Sequence, residues 1–580
     1  MERFYSVERN VQMLVYLLKK HGIKKVVASP GTTNICFVGS VQCDPYFEIY
    51  SAADERQAAY MACGLAAESG EPVVISCTGA TASRNYIPGL TEAFYRKLPV
   101  LAVTATQHIG RIGQNVAQVI DRRVIQNDIA KYSLHLPTIH DAEDEWAYGV
   151  KINEALLELH RNAGGPVHIN LTTQYSRDYS VRELPPVKVI RRLTYGDEFP
   201  SLQGKKVGIF VGSHKAWSEE LTTAVDEFCA KYDSVVLCDH TSNYTGKYRV
   251  FFSLVANQML YDASVRHMDV MVDMGDVSGA YGALRPTEVW RVNPDGVVRD
   301  TYRKLTKIFQ MEETDFFKAL NAAAPKGEHT DFLTAWQEEN QSLLDKIPEL
   351  PFSNVWIARQ TAAKIPEDSV LHLGILNSLR AWNFFATPQS VLNYANTGGF
   401  GIDGCLSALI GASLVHKDKL YFGVMGDLAF FYDMNALGNR HLGRNVRLLL
   451  VNNGRGTEFR NFNHPAQVCF GENADAYMAA AGHYGNQSRE LVRHYAEDLG
   501  CEYLMADSKE SYLKNMDRFL SAELTERPMV FEVFTDSQLE SDALDTIYHL
   551  EKDVKGQAKA AVKNVLGDKG VATVKKLLGR

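Results

Sequence analysis

None of the nine cysteines forms a Cys-x-x-Cys pair, which argues against a zinc ribbon or a disulfide framework. No run approaches the ~18–20 consecutive apolar residues that span a bilayer. The opening MERFYSVERN has no apolar core of signal-peptide type. These absences lead us to expect a cytoplasmic protein in a reducing compartment, with no membrane span. Positive charge is not in excess: 61 Lys and Arg stand against 69 Asp and Glu, a formal charge of −8. A nucleic-acid partner is therefore not expected. Low-complexity segments are lacking too. What remains is ordinary globular composition, 46% apolar and 22% charged over 580 residues, a length that suits two to four domains.

The apolar residues fall into alternating blocks. Val7, Val11, Leu14 and Leu18 share one helical face, with Ser6 the expected N-cap. IKKVVAS then reads as a buried strand. FEIYSA, PVVISC and PVLAVTA read as further strands, with helices RQAAYMACGLAAES and NYIPGLTEAFYRK between them. This alternation predicts a parallel sheet with helices on both faces. A polar stretch with Pro185-Pro186 reads as a linker over 181–203. A second block carries KKVGIFVGS, SVVLCD, DVMVDMG and EVWRVN. A third carries SVLHLG, KLYFGVM, VRLLLV and PMVFEVF. We expect three doubly wound α/β domains at 1–180, 204–345 and 352–550. Residues 551–580 form a basic tail, with eight Lys/Arg against three Asp/Glu. That tail reads as a solvated helix or frayed end, or as a helix docking on a partner or anionic surface.

The stretch GVMGDLAFFYDMNALGNRHLGRNVRLLLVNNGRG (423–456) carries the chemistry. Asp427 follows the strand KLYFGVM, a segment of helical length covers 430–442, and VRLLLV ends at Asn452-Asn453. A right-handed strand–helix–strand unit brings both strand ends to one sheet edge, where open α/β sheets bind ligands. Asp427 and Asn453 can therefore reach one Mg2+, a cation that takes oxygen ligands and shares them with phosphates. Gly426 and the following helix N-terminus would offer N–H groups to such phosphates. Spacing alone leaves a plainer alternative open, with Asp427 a helix N-cap and the asparagines a turn.

This pattern resembles the GD…NN signature of thiamine-diphosphate enzymes, and further matches cover nearly the whole chain. The three blocks are similar to the pyrimidine-binding, central and diphosphate-binding domains of the pyruvate-oxidase-like family. AADERQAAYMACGLAAESGEPVV resembles the segment with that family's essential glutamate, which falls on Glu55. CTGATASRNYIPGLTEAFYRKLPVLAVTA puts Asn85 and Phe94 in family positions, and GQNVAQ resembles a Gly-x-x-x-x-Gln loop that puts Gln118 near the cofactor. In the third block GFGIDGCLSALIGA, GDLAFFYDMNAL and LNSLRAW look like one branch, the menaquinone-pathway succinyl-enolpyruvyl-hydroxycyclohexene-carboxylate synthases. Leu428 stands where GDG is commoner, and Ser378 lies in that branch's Asn-Ser-Leu loop.

The resemblance implies roles. Glu55 would hydrogen-bond the aminopyrimidine ring nitrogen, best served if burial raises its pKa; the alternative is a surface glutamate capping its helix. Ile402 would wedge between the cofactor rings, where it could otherwise be ordinary core. Asp427, Asn453 and the Arg455 carbonyl would hold Mg2+. The expected cofactor set is Glu55, Asn85, Ser378, Ile402, Gly426, Asp427, Leu428 and Asn453. The resemblance also implies a homodimer, or a tetramer, whose sites take the first domain from one subunit and the third from the other.

The resemblance departs at the branch's substrate arginines. Their places are taken by Thr32-Thr33-Asn34, Thr106-Gln107-His108 and Asn396-Thr397-Gly398, while Arg380 comes two positions early. Because those arginines hold carboxylates, we expect a smaller or less anionic 2-oxo acid than the branch's pair, 2-oxoglutarate and isochorismate. The expected substrate pocket is Thr32, Thr33, Gln107, Thr397 and Phe459, and the catalytic candidates are Glu55, Gln118, Thr32 and His108. His108 reads either as a proton shuttle or as a polar wall. Thr32 lies in the loop where related decarboxylases place a small hydroxyl residue. An adjacent His-His pair like that of pyruvate decarboxylases is lacking, and nothing indicates a flavin. The expected activity is a carboligase that decarboxylates a 2-oxo acid and passes the product to an acceptor. Alternatives are a non-ligating decarboxylase and a cyclic-diketone C–C hydrolase. A non-enzymatic scaffold is disfavoured, because Glu55 serves catalysis more than binding.

Overall fold

The computed structural model describes residues 3–554 except 124, 281, 325–326, 328 and 484–487. The basic tail expected at 551–580 lies outside the described residues from 555 onward. The chain forms two compact units, one of residues 1–197 with 293–311 and one of 198–292 with the remainder. The fold has three parallel-sheet α/β domains, as the alternating pattern predicts. Among the described residues no helix is long and apolar enough to cross a membrane.

The first sheet runs in the order Glu48–Ser51, Lys25–Ala28, Val73–Cys77, Val100–Thr106, Val167–Thr172, Tyr132–Leu136, with every pairing parallel. Alternate residues of each strand point to opposite faces. Val26, Val74, Leu101 and Ile169 therefore build one core, while Val27, Val73, Ile75 and Ala102 build the other. Removing one such side chain, as in Ile75→Ala, costs about 2–5 kcal/mol. The chain order reverses between Lys25–Ala28 and Val73–Cys77, which opens a crevice at the carboxyl ends of those strands.

The third sheet repeats this plan in the order Leu392–Tyr394, Val370–Leu373, Tyr421–Gly426, Val446–Asn452, Met529–Phe534, Glu502–Ala506. Its reversal falls between Val370–Leu373 and Tyr421–Gly426. The second unit also holds the strands Arg249–Phe251, Val235–Cys238, Val207–Val211, His267–Met274 and Arg285–Val292, hydrogen-bonded in that order and all parallel.

Several local expectations are corrected. The first helix is Arg9–Lys20 with Glu8 at its N-cap, while the Ser6 hydroxyl accepts the Glu8 N–H at 3.3 Å, before the helix starts. The helix expected over NYIPGLTEAFYRK is found as Ile87–Tyr95, with Pro88 in its first turn, and a separate short helix, Thr81–Asn85, precedes it. The helix expected over 430–442 begins earlier, as Asp427–Asp433, and tightens to a 3-10 turn at Met434–Gly438. The stretch expected as linker contains the strand Arg191–Leu193, paired in parallel with Leu305–Phe309 of the same unit.

Candidate active site

In the first unit, Glu55 opens the helix Glu55–Ser69. The Asp54 carboxylate caps that helix by accepting the Gln57 N–H at 3.1 Å, so capping does not fall to Glu55. Ala58, Ala59, Ala62, Cys63 and Ala66 form the buried face, and Gly70 at φ +69° ends the helix. These small residues let the neighbouring helix Ile87–Tyr95 approach closely: a Cβ on Gly89 would lie 2.4 Å from that of Ala59. The packing brings Asn85 to Glu55, whose Oε2 accepts from Asn85 Nδ2 at 3.3 Å. Glu55 is half-buried in the single chain, Asn85 is exposed, and Phe94 is half-buried.

The loops over the first crevice are tied together by hydroxyls. Thr33, buried, shares a 2.7 Å hydrogen bond with Thr78, donates to the Ala105 carbonyl at 3.2 Å and accepts from Thr173 on its own carbonyl at 2.7 Å. Its side chain thus holds the loop, while Thr32 beside it is exposed. Gln118 is exposed, with φ +63°. Its carbonyl would lie 2.9 Å from a Cβ at residue 79, so the loop requires the glycine found there. The Gln107 amide oxygen accepts from Arg111. His108 is exposed, and its Nδ1 accepts the Gly110 N–H at 3.1 Å, capping the turn Ile109–Arg111.

In the second unit, Gly426 lies opposite Val451 in the sheet, so Asp427 and Asn453 sit just beyond two adjacent strand ends. Asp427 is 2% exposed, and its Oδ2 meets His483 Nε2 at 2.8 Å. The two asparagines divide. Asn452 donates to the buried Glu532 at 2.7 Å, whereas the buried Asn453 Oδ1 has no hydrogen-bond partner among the described residues. A buried amide oxygen without a donor is costly in an empty protein. A cation would satisfy it. The Arg455 carbonyl already accepts the Thr457 N–H at 3.0 Å, which leaves one lone pair. The Arg455 side chain turns away to Asp475 at 2.6 Å. A Cβ on Gly426 would meet nothing within 4 Å, so its backbone faces open space.

Across the second crevice, Ser378 is buried, and its Oγ accepts from Asn354 Nδ2 at 3.3 Å. Leu428 and Phe459 converge on Gly456, where a Cβ would lie 3.2 Å from each. Ile402 is half-buried against the core of this domain, and Thr397 is buried. Leu376 and Phe400, in the loops carrying Ser378 and Ile402, hold φ of +65° and +51°. Bulky residues resist that conformation, and its cost is tolerated most often at functional sites.

The sequence reading missed several groups here. His483 contacts Asp427 from 56 residues away. Glu540 is buried, accepts the Asn354 N–H at 2.8 Å, and burial raises its pKa to about 7. In the first unit the buried Arg122 donates to the Ala105 carbonyl at 3.0 Å, and burial lowers its pKa to about 10. None of these lies in a motif, and only the folded chain brings them to the strand ends. No cluster of three or more His, Cys, Asp or Glu suited to a metal occurs among the described residues. A carboxylate and an amide oxygen, as at Asp427 and Asn453, suit a hard cation better than zinc.

Two parallel sheets, each with its polar loops gathered at a reversal of strand order, define a nucleotide- or cofactor-binding α/β protein. The family model "Thiamine pyrophosphate enzyme, N-terminal TPP binding domain" matches residues 9–125. A 2-succinyl-5-enolpyruvyl-6-hydroxy-3-cyclohexene-1-carboxylate synthase from Bacteroides fragilis is 31% identical over 574 residues, covering 95% of this chain and 100% of the relative. One of the same description from Phocaeicola vulgatus is 30% identical, covering 94% and 99%. The chain therefore belongs to the thiamine pyrophosphate enzyme family, and its full-length similarity lies with the synthase branch of that family. A solved thiamine diphosphate-dependent 4-hydroxybenzoylformate decarboxylase from Rhodococcus jostii RHA1 aligns at 16% identity and TM-score 0.40, covering 91% of this chain and 99% of that one.

Proposed function

We propose that this thiamine-diphosphate enzyme is a Mg2+-dependent carboligase, releasing CO2 from a 2-oxo acid and transferring the remaining acyl unit to an acceptor. The observation that carries the metal assignment is the Asn453 Oδ1, buried and without a partner among the described residues, at a strand end next to the one that leads into the buried Asp427. Asp427, Asn453 and the Arg455 carbonyl would hold Mg2+, which would anchor a diphosphate, with Gly426, Leu428 and Ser378 around it. Residues 1–180 serve as the pyrimidine-binding domain in this reading, 204–345 as the central domain and 352–550 as the diphosphate-binding domain. When bound, thiamine diphosphate supplies a carbon nucleophile that stores the electron pair left by departing CO2.

The chain's own residues do the rest. With the cofactor bound, Glu55 would be the acidic group available to hydrogen-bond its aminopyrimidine ring and so assist its activation. Ile402 would contribute an apolar wall to the cofactor site, and Asn85 orients the Glu55 carboxyl. Gln118, Thr32 and His108 are assigned to the reacting end, with Gln107, Thr33, Thr397 and Phe459 shaping the pocket. Ligation rather than simple decarboxylation is favoured because both full-length relatives are synthases. The lack of the branch's arginines at Thr32–Asn34, Thr106–His108 and Asn396–Gly398 favours a substrate with fewer carboxylates. The assembly in this reading is a homodimer, or a pair of such dimers, with Glu55 from one chain and Asp427 from its partner at each site.

The test is CO2 release from a panel of 2-oxo acids, with thiamine diphosphate and Mg2+ present, each with and without an aldehyde or ketone acceptor. Release that requires the acceptor supports the carboligase. Release without it makes the enzyme a decarboxylase, and no release from any acid removes the 2-oxo acid reading.

A further inference from the structure

Arg380 lies two residues after Ser378 on the helix Asn377–Trp382. Its guanidinium is already engaged. Nη1 donates to Glu458 Oε2 at 2.6 Å and Nη2 to Oε1 at 2.9 Å, a two-armed pair. Asn377 Oδ1 accepts a further bond from Nη1 at 2.9 Å. Asn461 Nδ2 then locks the pair, donating to Asn377 at 2.9 Å and to Glu458 at 3.2 Å. The side chains are only 29% and 19% exposed. Glu458 immediately precedes Phe459, which with Leu428 closes on Gly456 at the candidate site.

A guanidinium beside the diphosphate-binding loops would otherwise be well suited to a substrate carboxylate. Here an incoming carboxylate would have to displace Glu458 and would then face its negative charge, gaining no new pairing. A neutral tail meets no such opposition.

We propose that Glu458 is a specificity-determining residue: by occupying Arg380 it turns the pocket against substrates with a second carboxylate, in favour of 2-oxo acids and acceptors with uncharged tails. The inference rests on the 2-oxo acid reading above, but its test needs no turnover. The dissociation constants of glutarate and pentanoate, which differ in one terminal carboxylate, are measured by calorimetry on protein loaded with thiamine diphosphate and Mg2+. The parent should bind glutarate no more tightly than pentanoate. Glu458→Gln should shift the ratio toward glutarate by at least about tenfold, the scale of one freed charge-assisted pair. Adding Arg380→Gln should return the ratio to the parent value.

A ratio unchanged in Glu458→Gln overturns the proposal, as does a shift that survives the loss of Arg380. If Glu458→Gln does not fold, Glu458→Asp, which keeps the charge but shortens its reach, should move the ratio in the same direction by a smaller factor. An unchanged ratio there is equally fatal. CO2 release in the parent is scored separately. A shifted ratio without any 2-oxo acid turnover would retain this inference and remove the reaction, and turnover with an unshifted ratio would do the reverse.

Discussion

Replacing Glu55 by Gln preserves the shape of the side chain and leaves an oxygen for Asn85, yet removes the acidic proton the proposed chemistry needs. Folding and cofactor affinity should persist while turnover falls by at least ~10²-fold, the scale of a lost acid–base group. Near-parental turnover measured on cofactor-saturated protein would exclude Glu55 from the reaction. Glu540 supports a different prediction. Burial raises its pKa to about 7 in the folded protein, above the ~4.3 of an unfolded glutamate. The protonated form is thus favoured by folding, so its stabilisation is complete below about pH 4 and is lost as pH rises toward 7. Glu540→Gln mimics the protonated form. Its melting temperature should match the parent near pH 4 and exceed it at pH 8; equal values at both pH values would show that Glu540 does not titrate there. Asp427 and Asn453 were legible in the sequence because strand ends and a short motif place them. Glu458 and His483 were not, since they meet their partners across 78 and 56 residues of chain and belong to no regular pattern.

The packing of the Glu55 helix, Glu55–Ser69, against Ile87–Tyr95, the helix that follows Asn85, depends on the absence of a side chain at Gly89. A methyl group there would sit 2.4 Å from Ala59 Cβ and 2.9 Å from the Ala59 carbonyl carbon. Gly89→Ala should lower stability by about 1–3 kcal/mol, as overpacking does, and weaken cofactor binding by spreading the helices. Ala59→Gly should restore part of the loss, since it removes the closer of the two conflicts. Urea midpoints of the two single variants and the double variant measure the coupling, and strict additivity would contradict close packing at this point. Element-level reading succeeded where a strand is buried on both faces, as in Val73–Cys77 or Val446–Asn452. It passed over Tyr132–Leu136 and Glu502–Ala506, which end their sheets and are largely half-buried. Each is only five residues long, YSLHL being interrupted by polar residues and EYLMA too short to separate from a helix by periodicity.

At the scale of the whole molecule, the proposed dimer makes inactive chains complementary. Glu55→Gln and Asp427→Ala chains, mixed and allowed to exchange, should form mixed dimers in which one site has both residues intact. With random exchange about half the dimers are mixed, so roughly a quarter of all sites should recover; no recovery despite demonstrated exchange would sink the shared site. Beneath that prediction lies the claim that Asp427 and Asn453 hold the cofactor through a divalent cation. The most direct measurement is calorimetric titration of thiamine diphosphate into the parent and Asp427→Ala proteins, each with excess Mg2+ and with a chelator. The account predicts tight binding only in the parent with Mg2+, and weak binding in the other three conditions. Affinity that is the same in all four would contradict it.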